Sequence, residues 1–227
     1  STAVNLAYSG FAKRLKMAEF DTLSTTNLNR VKASIFDIGK SKLSITAKQI
    51  YEINPYAEMK FFTEGITNSN LTKFLTSDPK LDIVFEAIDD FQMKVKLRLM
   101  ARKARIPVVM LTSLGDSILI DVERYDLNGD LPIFNGKVGN TIEEILEKDI
   151  TEEDKKKYAV SLVGMENVPT AALNSLKEIN KTLVGRPQLM STVTIASGLA
   201  SFLLRDIFLN NLQSGRRKLV IDTLTSI

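Results

Sequence analysis

The chain has 227 residues, 44% of them hydrophobic and 25% charged, an ordinary composition for a globular protein with enough length to cover both faces of a sheet. Thirty Lys and Arg against 27 Asp and Glu leave a formal charge of +3, too small to mark a polyanion-binding protein. Cysteine and histidine are both absent, which excludes disulfides, thiolate–zinc clusters, a cysteine nucleophile and a histidine base, and fits a cytoplasmic protein.

The chain opens on STAVNLAYSG, where Ala3, Leu6 and Ala7 share one side of a helix that Gly10 closes, and no secretory signal is expected there. RLKMAEF, residues 14–20, reads as a short strand. SKLSITAKQIYEI spaces Leu43, Ala47, Ile50 and Ile53 as a helix, and Asn54-Pro55 stops it. AEMKFFTE is a strand, NSNLTKFLT a short helix, and LDIVFEAID (81–89) a strand of the continuous apolar kind buried on both faces. Helix FQMKVKLRLMARKAR and strand IPVVMLTSL follow. Alternating strands and helices predict an α/β fold: a Rossmann-like, doubly wound, mainly parallel sheet with helices on both faces.

After Gly115 the pattern changes. DSILIDVERYD reads as a strand, residues 127–141 as a loop, 141–163 as charged and helical, 170–181 as a helix, 188–211 as a long helix and RKLVIDTL as a last strand. This predicts one domain over 1–227, with a core at 1–115, an inserted strand, loop and helical segment at 116–185, and a final helix and strand at 186–227. The apolar stretch 189–204 is short for a membrane span, rich in Ser and Thr, and ends on Arg205 and Asp206, so a buried helix is expected.

Doubly wound sheets bind ligands at the carboxyl ends of their strands. Here those ends carry Glu19 and Asp21, then Asp89 and Asp90, then Thr112, Ser113, Gly115 and Asp116, while TTNLNR and GKSK add Asn27, Asn29, Arg30, Lys40 and Lys42. Carboxylates suit ribose hydroxyls or Mg2+, and cations suit phosphates. Each residue also has a plainer reading. The carboxylates fit a solvated loop, the lysines fit surface cations, and Asp89-Asp90 fit a cap for the helix at Phe91. The basic run 94–105 alternates with apolar residues and has no aromatic platform, so it reads as a helix with one wet face rather than a nucleic-acid surface.

Taken in order, EFDTLSTTNLNR, IGKSK, INPYAE, LDIVFEAIDD and IPVV resemble the ThiF/MoeB/HesA family, bacterial relatives of ubiquitin-activating enzymes. The resemblance runs from Ser1 to about Thr112 and returns at SGRRKLVID. It implies ATP-dependent adenylation of a carboxylate by attack on the α-phosphate, usually at the C-terminus of a small ubiquitin-like or sulfur-carrier protein, and it implies a homodimer. Carried over, Glu19 with Asp21 would meet the ribose, and Asn27 would line the phosphate site. Arg30 and Lys42 would steady the phosphoryl charge, and Asp89 would hold Mg2+. An ionised carboxylate needs no base, so a site without His or Cys suffices.

The family's glycine-rich phosphate loop and first strand are expected just before residue 1, where this sequence starts. Glu19 stands where the family has Asp, Val31 stands where it has Gln, and no thiol is available for transfer. The middle segment resembles a MoeB-like branch found beside a nitroreductase-like flavin domain. Two other functions share these features: a nucleotide- or partner-binding domain without catalysis, and an NAD- or FAD-binding oxidoreductase domain, which has no use for the NLNR and GKSK cations.

Overall fold

Val4, Leu6 and Ala7 define the buried side of helix α1 (Thr2–Tyr8), which ends at Gly10, a residue with φ of 73°. That left-handed turn lets the Phe11 N–H return to the Leu6 carbonyl at 2.9 Å. The structure is a computed structural model that describes residues 1–221 except 12, 139–141, 148–150, 180 and 186.

Strand β1 (Arg14–Ala18) pairs in parallel with β2 (Glu58–Phe62), Arg14 opposite Glu58. Between them lie two short 3-10 turns, Thr25–Asn27 and Ile35–Asp37, and helix α2 (Lys42–Ile53). Asn54 caps α2 because Pro55 has no N–H to continue it and pushes Asn54 into extended backbone. Helix α3 (Leu71–Thr76) leads to β3 (Val84–Glu86), α4 (Phe91–Lys103) and β4 (Val108–Leu114), with β3 and β4 parallel. The apolar run expected as one strand over 81–89 yields only three residues of ladder. The Glu86 carboxylate turns back onto the Ile88 N–H and draws the chain out of register.

Strand β5 (Ser117–Glu123) returns antiparallel on β4 through Gly115-Asp116, and β6 (Gly215–Val220) is antiparallel on β5. A turn that short cannot deliver a parallel partner. The parallel character therefore belongs to the first half of the chain, and the second half supplies an antiparallel edge. The strands form a β1–β2 pair and a β3–β4–β5–β6 sheet, so among the described residues β1 and β3 are each paired on one side only. Both nevertheless serve the same two cores. Leu15, Met17, Ile83 and Phe85 pack against the core that α1 and α8 (Met190–Phe208) cover. Ala18 and Val84 belong with the core covered by α3, α4 and the helices α5 (Ile142–Glu147) and α6 (Glu152–Val163).

The charged stretch expected to be helical is thus α5 and α6, followed by α7 (Thr170–Glu178). Thr151 starts α6 in a reciprocal cap with Asp154. Helix α8 is long and apolar enough to cross a membrane by length and composition alone. Here it buries Ala200, Leu203, Leu204 and Ile207 as a core helix, while Thr192 donates to the Gly115 carbonyl at 2.7 Å and ties it to the β4–β5 turn.

Candidate active site

At the end of β1, Glu19 folds over its own turn, and its Oε1 accepts the Phe20 and Asp21 N–H groups at 3.0 and 2.9 Å. Asp21 follows, and its carboxylate takes Lys42 Nζ at 2.7 Å while its carbonyl takes the Lys42 N–H at 3.0 Å. Leu23, 1% exposed, anchors the ribbon beneath. Its N–H and carbonyl bond the Lys40 carbonyl and the Gly39 N–H, each at 2.8 Å. The long excursion from 19 to 42 therefore closes on itself and brings Glu19, Asp21 and Lys42 together. Gly39, at φ of 83°, makes that return without strain.

Asn27 is buried, and its Oδ1 accepts the Ser24 N–H at 3.1 Å as the cap of the first 3-10 turn. Its carbonyl accepts the Arg30 N–H at 3.0 Å, so Asn27 shapes the turn that carries Arg30. Arg30 is half-buried and donates from Nη1 to the Thr26 carbonyl and Asn29 Oδ1, at 2.8 and 3.0 Å. Asn29 in turn donates to the Gln188 carbonyl at 3.2 Å, joining this loop to the segment before α8.

Asp89 and Asp90 come from a second strand end, that of β3. Asp90 is the N-cap of α4 and accepts the Met93 N–H at 2.7 Å. Asp89 is exposed and, among the described residues, makes no hydrogen bond or ion pair, including none to the Asp21–Lys42 pair. Thr112 and Ser113 lie within the β4–β5 ladder opposite Leu119 and Ile118, so that end is a hairpin rather than an open strand terminus.

The donor set fits a metal-bound nucleotide in one way. No group of three or more acidic side chains able to cage a cation occurs among the described residues. Mg2+ in nucleotide sites usually takes one or two carboxylates and completes its shell with phosphate and water, so one unencumbered carboxylate such as Asp89 is sufficient. A hollow of about 420 Å3, lined by Lys80, Asp82, Arg105 and Arg124 among others, contains none of these residues and lies against the opposite ends of β3 and β4.

Sequence reasoning missed one cluster. Glu86, Arg98 and Glu123 are all at most 2% exposed and are held together by ion pairs, and buried Asp121 on the same face of β5 pairs with Arg216. The helix expected to have a wet face instead buries Arg98 completely. The signal was present: Glu86 interrupts an apolar strand, and Asp121 and Glu123 share one face of β5 while Ile118, Ile120 and Val122 share the other.

A family model described as the ThiF family matches residues 1–219. An uncharacterized protein of Mycobacterium tuberculosis is 35% identical over 215 residues, covering 94% of this chain and 29% of that protein. The tRNA threonylcarbamoyladenosine dehydratase 2 of Saccharomyces cerevisiae is 27% identical over 132 residues, 58% of this chain and 29% of its own. The chain thus spans under a third of the length of either relative. Among solved structures, E. coli MccB with ATP superposes with a TM-score of 0.60 at 16% identity, covering 99% of this chain and 57% of that one. MccB has also been solved in complex with N-formylated MccA, with a TM-score of 0.59.

Proposed function

The chain belongs to the ThiF family, matched from residue 1 to residue 219, and from that premise we propose that it is the nucleotide-binding part of an ATP-dependent adenylyltransferase acting on a carboxylate. The family match is the observation that carries this reading. The relative named a tRNA dehydratase and the MccB structure with ATP lend it support.

In the proposed reaction a carboxylate oxygen bonds to the α-phosphorus of ATP, the bond to the bridging oxygen breaks, and pyrophosphate leaves. The nucleophile is already ionised, so the protein's work is orientation and charge neutralisation. Glu19 and Asp21 would accept from the ribose hydroxyls. Lys42 would exchange Asp21 for phosphate, an easy exchange because the pair is partly exposed, at 22% for Lys42 and 49% for Asp21. Arg30 would offer its remaining guanidinium donors, and Asn27 would hold the turn beneath it. Mg2+ held by Asp89 would supply charge neutralisation at the phosphates.

The acceptor we favour is the C-terminal carboxylate of a small carrier protein or peptide, in keeping with MccB solved with MccA. A carboxylate on a modified tRNA is the second reading, favoured by the dehydratase relatives. A homodimer through the exposed Ile195, Phe202 and Phe208 of α8, in the cytoplasm, completes the proposal.

Calorimetry with Mg-ATP and with NAD tests it. Mg-ATP should bind, and Arg30→Ala and Lys42→Ala should each weaken it at least about tenfold, or about 1.4 kcal/mol. Binding of NAD in preference to ATP would overturn the reading. Tight ATP binding without pyrophosphate release in the presence of either acceptor class would leave a binding module.

A further inference from the structure

Beneath Asp89 the buried cluster has a definite wiring. Arg98 donates from Nη1 to Glu86 Oε2 at 2.8 Å and from Nε to Glu123 Oε2 at 2.7 Å. Glu86 Oε1 accepts Lys94 Nζ at 2.8 Å and the Ile88 N–H at 2.5 Å. At the other end, Glu123 Oε1 accepts the Phe134 N–H at 2.6 Å, and the Arg98 guanidinium lies 4.0 Å over the Phe134 ring. Among the described residues no buried side-chain polar atom lacks a partner.

Buried ion clusters seldom outperform apolar packing of the same volume, so stability alone is a weak reason for this one. Its outlet is the main chain at Ile88. Ile88 is tethered by Glu86 on one side, Asp90 is fixed as the α4 cap on the other, and Asp89 is the one residue between them. We infer that Glu86 is a positioning residue for Asp89, and that Arg98 and Glu123 carry the same constraint to the turn at Ile133–Gly136. In that turn, Phe134 and Asn135 take φ values of 52° and 50°. Docking of that turn and the setting of Asp89 are then one mechanical unit.

This inference rests on the reading that Asp89 holds the metal of Mg-ATP, and its test separates the two. ATP affinity is measured by calorimetry with Mg2+ and with EDTA, and hydrogen exchange is followed over residues 87–90, in wild type, Asp89→Asn, Glu86→Gln and Lys94→Met. Glu86→Gln keeps the shape but leaves one neighbouring donor without an acceptor. Lys94→Met is the milder variant, since that side chain is 14% exposed and the Arg98–Glu86 pair survives its loss.

Loss of a group that orients a metal ligand typically costs about 10–100-fold in metal affinity. Glu86→Gln should therefore weaken Mg-ATP by about tenfold or more, leave ATP in EDTA unchanged, and speed exchange at 87–90. Lys94→Met should do the same to a smaller extent. Equal weakening with and without Mg2+ would mean a merely structural role and overturn the inference. So would a loss in Asp89→Asn that Glu86→Gln and Lys94→Met do not share, and that result would leave the metal reading standing. If Asp89→Asn binds Mg-ATP as wild type does, the metal reading fails and the inference falls with it.

Discussion

Lys42 and Asp90 show how differently two polar residues at helix starts are used. Lys42 begins α2 with its side chain on a partly exposed carboxylate, whereas Asp90 spends its carboxylate on the backbone of α4. Exposed ion pairs contribute about 0–1 kcal/mol and N-caps about 1 kcal/mol. Lys42→Ala should therefore leave the urea midpoint nearly unchanged while lowering pyrophosphate release by about 100-fold or more, the usual cost of a lost electrostatic stabiliser. Asp90→Ala should lower stability by about 1 kcal/mol, and because it loosens one tether beside Asp89 it should lower turnover too, though less than Lys42→Ala does. The two measurements on each variant separate a residue held for chemistry from one held for the helix.

Among the elements, those set by local rules were legible in the sequence. Leu43, Ala47 and Ile50 and the Asn54-Pro55 stop announce α2, and the order of strands and helices announces the α/β class. Glu19 and Asp21 were legible as a polar strand end and Lys42 as a helix start, but the closing of the 19–42 ribbon that joins Asp21 to Lys42 was not. The short β3 and the buried Arg98 both turn on Glu86. Its place in an apolar run is visible in the sequence, but its partners on α4, and Arg98's on β5, are a tertiary fact that no local window contains. Gly65 is a further case. At φ of 72°, it underlies the Phe20 ring so closely that a Cβ would lie 2.6 Å from Phe20 Cδ1. Gly65→Ala combines left-handed strain with displacement of that ring and should cost about 1–2 kcal/mol, read as a lower urea midpoint.

For the whole molecule, the buried cluster sets a pH dependence with two opposing parts. Burial alone would raise the Glu86 carboxyl, but Arg98 and Lys94 more than offset it and hold the group below its ordinary value of 4.5. Burial, reinforced by neighbouring Asp121, raises Glu123 above that value even though Arg98 opposes it. A depressed acid adds stability above its unfolded pKa, and that contribution is lost as pH falls through the folded value. A raised acid loses its contribution as pH climbs from the unfolded value through the folded one. The deficit of Glu86→Gln against wild type should therefore be larger at pH 7 than at pH 4, and that of Glu123→Gln smaller, in paired thermal melts. A change of the same sign in both variants would mean that the two carboxylates do not divide Arg98 in this way.

Among the described residues β6 pairs with β5 alone, and cations line it. That edge presents exposed Arg217 and Lys218, which guard against pairing with a foreign strand. Because that guard is electrostatic, it thins as ionic strength rises, so concentrated salt should favour sticking between molecules where dilute buffer keeps them apart.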